Sequence, residues 1–376
     1  MTANLVSPRV RAGTPRRVLI ERRLRRYAPS AQERVRALAA RHTRVADLAV
    51  SFPALLFALA LPRPGENPEL AIACAIRGRP LREVAAAARV PSWLRRLPVE
   101  GLTRPLPRLP AGEPFGRRIV NHFPRSPKLM DMWLEIVSGA DYWINEPFAL
   151  WIAREFARDA KGVKIDSLRL VGLWAWFSQR AETDAHRFIE TRWLAEMRFG
   201  VAHGAARAWL NRLKLELAFA GRAIADVWLR PGSFEGYDFV PLDSAERLDE
   251  EAAAMGNCIR SYAYDVADDF CRLWSIRRDG RRVANLEVRR GQPLLQISEL
   301  KAARNEPAPV EIWWLAARWL HQHDLPSIRP AQRANRNSQP DAVVWRRLWR
   351  PYWLAKRSLP VWLPLAPTWH VIAALR

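Results

Sequence analysis

The hydrophobic period of this chain changes near Gly232, and no other feature narrows its possible folds as far. Between about 116 and 228, apolar residues return every three or four positions, as in DYWINEPFALWIAREFARDA and GAARAWLNRLKLELAFAG. That spacing draws one apolar stripe along a helix, so these segments predict packed helices. After Gly232 the spacing falls to two. Ala284, Leu286 and Val288 alternate with Asn285 and Glu287, and Leu295 and Ile297 alternate with Gln296 and Ser298. RDGR and RRGQP are tight-turn sequences between these runs, which predicts three antiparallel strands at about 272–278, 282–289 and 293–299. A helix over PVEIWWLAARWLHQH closes the unit. The expected fold class is α+β: mostly helical N-terminal and middle regions, then a small C-terminal antiparallel meander with helices packed on one face.

Along the chain this reading separates a basic N-terminal arm and helix (1–46), a helical segment with a Pro-rich linker (47–115) and a Trp-rich helical domain (116–230). An α+β domain (231–326) and a basic, Trp- and Pro-rich C-terminal extension (327–376) follow. The run GLTRPLPRLPAGEP, with Pro105, Pro107, Pro110 and Pro114, excludes a helix or a central strand and predicts a linker or an extended wrap. LAVSFPALLFALALP, from Leu48, is short for a membrane span and contains Pro53, so a core helix is expected. RGRPLREVAAAARVPSWLRRLP, at 77–98, has a helix-turn-helix rhythm that fits either an ordinary helical hairpin or a DNA-reading element. The chain has 18 Trp against 6 Tyr, and its indoles are expected to anchor helix packing.

Charge bounds the partners. Sixty Lys and Arg face 38 Asp and Glu, a formal net charge of +22, and only six of the cations are Lys. Such an excess predicts attraction to polyanions: nucleic acid, an acidic protein partner or an anionic surface. RRVLIERRLRRY sets Arg22, Arg23, Arg25 and Arg26 around one helix with little acid to balance them, and SWLRRL adds Arg95 and Arg96. These are either solvated helix faces or phosphate contacts. WRRLWRPYWLAKR spaces Trp345, Trp349 and Trp353 by four, which fits a packing arm, a membrane-surface helix or a stack for unpaired bases.

Three cysteines, Cys74, Cys258 and Cys271, have neither metal-ligand spacing nor the even number of a disulfide framework, and no signal peptide is visible. A reducing cytoplasm is the expected location, with no membrane span. The chain has no P-loop, dinucleotide-binding turn or nucleophile elbow, so no cofactor is expected. His321 and His323, two apart on a helix, point to different faces, and no metal site is expected.

The chemistry-bearing stretch is MGNCIRSYAYDVADDFCRLWSIRR, from Met255. On one continuous helix, Met255, Cys258, Ile259 and Tyr262 share a face, which makes Cys258 a small buried hydrophobe against the sheet. Glu287 and Gln296 share the polar face of the strands, and with amides and a nearby cation such as Arg304 they would suffice to hold a polar ligand. EEAAAMGNCIRSY, WSIRRDGRRVANLEV, LLQIS and ARNEP together resemble the motif set of the PcfJ-like proteins, a bacterial family named from a conjugative plasmid protein. The segment at 77–98 resembles one that accompanies this domain in proteobacterial members. The resemblance implies that Cys258, Tyr262, Ser275, Glu287, Gln296 and Asn305 are shared polar positions, with Asn257 beside them. It also implies a link to mobile elements in some members, but no reaction. Asn257 stands where the family pattern has His, and Asn285 where it has Thr, so an enzymatic reading of Cys258 and Glu287 lacks its thiol activator. Three functions follow: a basic binding module, an enzyme with a polar pocket around Cys258, Glu287, Gln296 and Asn305, or a helix-turn-helix regulator.

Overall fold

A computed structural model of the chain describes residues 16–291, 294–323 and 341–357. The expectations for residues 1–15 and for most of the C-terminal extension lie outside the described residues. The chain forms two compact units, one of residues up to 173 with 194–202, the other of 174–193 and 203 onward. The stretch 116–230 is therefore divided between them.

The first unit is helical. Its opening helices are α1 (Arg16–Leu24), α2 (Pro29–Ala40), α3 (Thr43–Ala46), α4 (Leu48–Ser51) and α5 (Pro53–Ala60). The apolar run from Leu48 breaks at Phe52, and Pro53 begins α5, where its missing N–H costs no helical bond. Leu55, Leu56 and Phe57 of α5 are fully buried. Tyr27 stacks on Phe57 and donates its hydroxyl to Pro53 O at 2.9 Å. Next come α6 (Glu69–Ile76) and α7 (Leu81–Ala87), then a 3-10 turn at Ser92–Arg96. The Pro-rich run is extended over 101–112, and Pro110 O accepts from Trp93 Nε1 at 2.8 Å. Pro114, expected to exclude a helix, instead sits in the first turn of α8 (Glu113–Ile119), where its missing N–H costs no helical bond. After α8, α9 (Met130–Trp143) and α10 (Glu146–Arg158) form a helical hairpin. Asn145 caps α10 by accepting from Phe148 N at 3.0 Å. Among the described residues no helix is long and apolar enough to cross a membrane.

The boundary between units falls within α11 (Ile165–Ser178) and α12 (Phe199–Phe219). In the second unit Phe177 lies 5.7 Å from Trp209 and 5.6 Å from Trp349, ring centre to ring centre. The sheet follows the order β1 (Gly232–Phe234), β2 (Tyr237–Pro241), β3 (Cys271–Arg278), β4 (Arg281–Arg290) and β5 (Leu295–Lys301), all antiparallel neighbours. The three expected strands are β3 to β5. Two more precede them, joined by Glu235-Gly236, both at positive φ like Asp279-Gly280 between β3 and β4. Asp-Gly suits that turn because Gly tolerates positive φ without steric cost.

Helices cover both faces of the sheet, not one. α13 (Ala245–Met255) and α14 (Ala263–Ala267) lie between β2 and β3 in sequence, and α15 (Val310–His321) and α16 (Ala342–Lys356) follow the sheet. Trp319, Ile312 and Leu315 of α15 pack on Trp274, Leu286 and Val288. Phe239 stacks on Trp319 with ring centroids 4.0 Å apart. On the opposite face Leu248 and Ala252 of α13 and Val266 of α14 meet Cys271 and Leu273. Ala284, Leu286 and Val288 share the face that packs on α15, as their alternation predicts. The polar face is nonetheless buried, because α13 carries a matching polar residue.

Candidate functional site

That residue is Glu251, which is fully buried. Ser275 Oγ and Asn285 Nδ2 each donate to its Oε1 at 2.7 Å. Arg282 Nε and Arg277 Nη2 donate to Oε2 at 2.8 and 3.3 Å. Four donors on two oxygens satisfy a carboxylate that could not otherwise be buried. Asn257 Nδ2 donates to Asn285 Oδ1 at 2.5 Å, which ties the loop after α13 to the same cluster.

The single helix expected through Cys258 does not form. α13 ends at Met255, and Gly256 takes the left-handed conformation (φ 61°) that caps helix ends. A 3-10 turn at Ile259–Tyr262 follows. The break turns Cys258 outward, so it is exposed, not buried against the sheet. Asn305 Oδ1 lies 3.4 Å from Cys258 N and 3.5 Å from its Sγ, accepting from both. Arg304 and Asn305 reach this position through successive left-handed residues (φ 58° and 62°). Both are exposed.

Cys258, Asn257, Tyr262, Glu287 and Asn305 line one cavity, joined there by Glu299 and Lys301. Glu287 is buried and accepts from Arg289 Nε at 2.5 Å. Tyr262 donates its hydroxyl to Glu299 Oε2 at 2.8 Å. Ser275 belongs to the Glu251 cluster, Gln296 is exposed opposite Arg289, and Arg304 lies outside the cavity wall. A β-bulge between Glu287 and Val288 brings Glu299, and not Ser298, opposite Glu287, while Gln296 keeps the same face two residues along. The cavity encloses only about 30 Å³, room for about one or two waters, whereas small-molecule sites span about 300–1,000 Å³. Among the described residues no three His, Cys, Asp or Glu side chains are grouped to hold a metal ion.

Burial pushes up the Tyr262 hydroxyl, aided by its bond to Glu299 and the charge of Glu287. Burial likewise raises Tyr264 to about 12, with help from Asp268, and it raises the Cys271 thiol, with help from Glu287 and Asp265. Because all three folded values are raised, the unfolded chain loses these protons first. Their contribution is complete below the unfolded values and is lost as pH climbs through the folded ones. The melting temperature of the second unit should therefore fall between about pH 9 and 11, and a flat profile across that range would contradict these environments. The thiols should also separate by access. Alkylation of the native protein, followed by peptide mass spectrometry, should mark Cys258 first and Cys271 only after unfolding. Early labelling of Cys271 would contradict its burial.

The first unit contains a different kind of site. Residues 16–128 carry 23 Lys and Arg against 8 Asp and Glu, while residues 129–291 carry 23 against 25. The positive excess is therefore concentrated in the first third of the chain. Within that stretch seven of the acids are matched by single arginines: Asp47–Arg16, Glu100–Arg26, Glu21–Arg36, Glu69–Arg41, Glu66–Arg63, Glu83–Arg79 and Glu113–Arg117. Of the remaining cations Arg104 pairs with Glu135, and the others far outnumber the one acid left in the stretch, Glu33.

Three concavities of about 730, 540 and 540 Å³ adjoin one another there, sharing Arg16 and Asp47 at one junction and Val50 and Ser51 at the next. Arg17 and Arg36 line the first, Arg44 and Arg79 the second, and Arg95, Arg96 and Arg117 the third. Arg95 Nε donates to Ser51 O at 2.8 Å, which orients its guanidinium along the wall. Arg95 and Arg96 thus join a basic furrow. Arg22, Arg25 and Arg26 are exposed and Arg23 is half-buried, on α1 and the turn after it and outside the furrow wall. Arg26 Nε is engaged by Glu100 at 2.6 Å.

The 77–98 segment yields α7, a left-handed Arg89 (φ 51°) and the 3-10 turn. The turn is five residues long and buries Trp93 and Leu94, so no second α-helix is present to serve as a recognition helix. In α16, Trp345 and Trp349 are core residues, which closes the base-stacking reading for both.

Comparison with protein-family models, with curated proteins and with solved structures gives no match.

Proposed function

We propose that this chain is a nucleic-acid-binding protein whose phosphate-contacting surface is the arginine furrow of the first unit. The observation that carries this reading is the coincidence of charge and shape. The stretch holding most of the cationic excess is also the one with three neighbouring, arginine-lined concavities that share wall residues. Guanidinium groups bind phosphate oxygens through forked pairs of N–H donors, and a row of them follows a phosphate backbone. We further propose that the second unit is a PcfJ-like domain of a bacterial cytoplasmic protein with a link to mobile elements. Its support is that most residues carrying that resemblance meet around Glu251 and Cys258.

An enzymatic role for Cys258 and Glu287 is the weaker reading, because the cavity they share is smaller than a metabolite. The experiment is a competition. The full chain at low salt should bind fluorescent mixed-sequence nucleic acid, with polyglutamate a poor competitor. Retention of polyglutamate without binding of nucleic acid would replace this reading with an acidic protein partner.

A further inference from the structure

The furrow has a composition that distinguishes between nucleic-acid forms. We infer that it seats the phosphodiester backbone of a duplex, without sequence preference, and not the bases of a single strand. The inference rests on the nucleic-acid reading above and narrows it.

Proteins that hold single strands combine cations with exposed aromatic rings on which bases stack. The three concavities contain one aromatic residue, Trp93, which is 7% exposed and packs among Phe115, Phe123 and Trp133. Its indole N–H is already spent on Pro110 O. The exposed indoles Trp313 and Trp314 lie on α15 of the second unit, beside Glu311, where the neighbouring Arg318 is paired with Glu235. They are not furrow residues.

What the furrow does offer is cations on separate elements: Arg16 and Arg17 on α1, Arg36 on α2, Arg44 on α3, Arg95 and Arg96 on the 3-10 turn, and Arg117 on α8. Ser92 is exposed beside them. With its cations spread one or two at a time over five elements, the furrow presents no single helix with a row of side chains for base edges, so the contacts available are to backbone. A duplex carries about one charge per 1.7 Å of axis, roughly twice the density of either strand, and releases more condensed counterions per cation bound. A surface whose charged groups are mostly guanidinium, with Glu21, Asp47 and Glu113 each paired to an arginine and no exposed ring, therefore prefers the duplex.

The test uses the full chain, a fluorescent mixed-sequence DNA duplex and each of its separated strands, with affinity read by anisotropy across a salt series. The duplex should bind about tenfold more tightly than either strand, and duplexes of different sequence should bind alike. The triple variant Arg95→Gln, Arg96→Gln, Arg117→Gln should reduce the duplex salt slope by about 3, one per contact removed. The corresponding lysine variant should keep the slope, and matching melting curves for the two variants would show that neither loss is unfolding. Single strands bound as tightly as the duplex, or affinity that follows duplex sequence, would overturn this inference while leaving nucleic-acid binding intact. An unchanged slope in the glutamine variant would also overturn it. No binding of either form would overturn the proposed function as well.

Discussion

Glu251→Ala should destabilise the second unit by about 3–5 kcal/mol, the cost of breaking a buried ion pair from one side. The substitution strips Ser275 and Asn285, both buried, of their shared acceptor and leaves Arg277 and Arg282 facing a void. Glu251→Gln should fall between wild type and alanine, since an amide oxygen can still accept from both Ser275 and Asn285 while its NH2 opposes the arginines. Chemical denaturation of the whole chain is the measurement, with separate transitions fitted because two units need not unfold together. The transition of the second unit should move and that of the first should not. A loss below about 1 kcal/mol for alanine would mean that the cluster is solvated and not buried.

That carboxylate also marks where the sequence was readable and where it was not. Alternation along β4 placed Ala284, Leu286 and Val288 on one face and Asn285 and Glu287 on the other, as the fold has them. It did not show that the second face is covered too, because apolar alternation reports only the side that buries hydrocarbon. The missing signal lay in α13. Leu248, Glu251, Ala252 and Met255 occupy one helical face, so a glutamate stands within an apolar stripe. A charge in that position calls for buried partners, and Ser275, Asn285 and two arginines supply them.

The Cys258 face failed for a local reason. Helical spacing was carried across Gly256, although Gly after a run of helix formers is the usual place for a helix to stop. Gln296 does share the face of Glu287, as the alternation predicts, but it stands opposite Arg289, outside the cavity, which sequence alternation alone does not locate. β1 and β2, three and five residues long, register in FEGYDFVP only as a short extended piece before a helix, because so few residues cannot show a hairpin by their period. The furrow could be anticipated only as charge. Which arginines share a concavity depends on how seven short helices and a 3-10 turn pack, and their sequence separations do not encode that.

The central claim is that the furrow holds a polyanion through counterion release, and the salt dependence of nucleic-acid affinity tests it most directly. Four furrow arginines, Arg17, Arg44, Arg95 and Arg96, make no ion pair with an acid among the described residues, while Arg16, Arg36, Arg79 and Arg117 each share one. At about 0.9 counterion per phosphate neutralised, this predicts a slope of log affinity on log salt between about −4 and −7 for a duplex. A rise from about 50 to 200 mM salt should then weaken binding by about two to four orders of magnitude. A slope shallower than about −1 across that range would contradict the account, since no row of arginines could then be resting on phosphates.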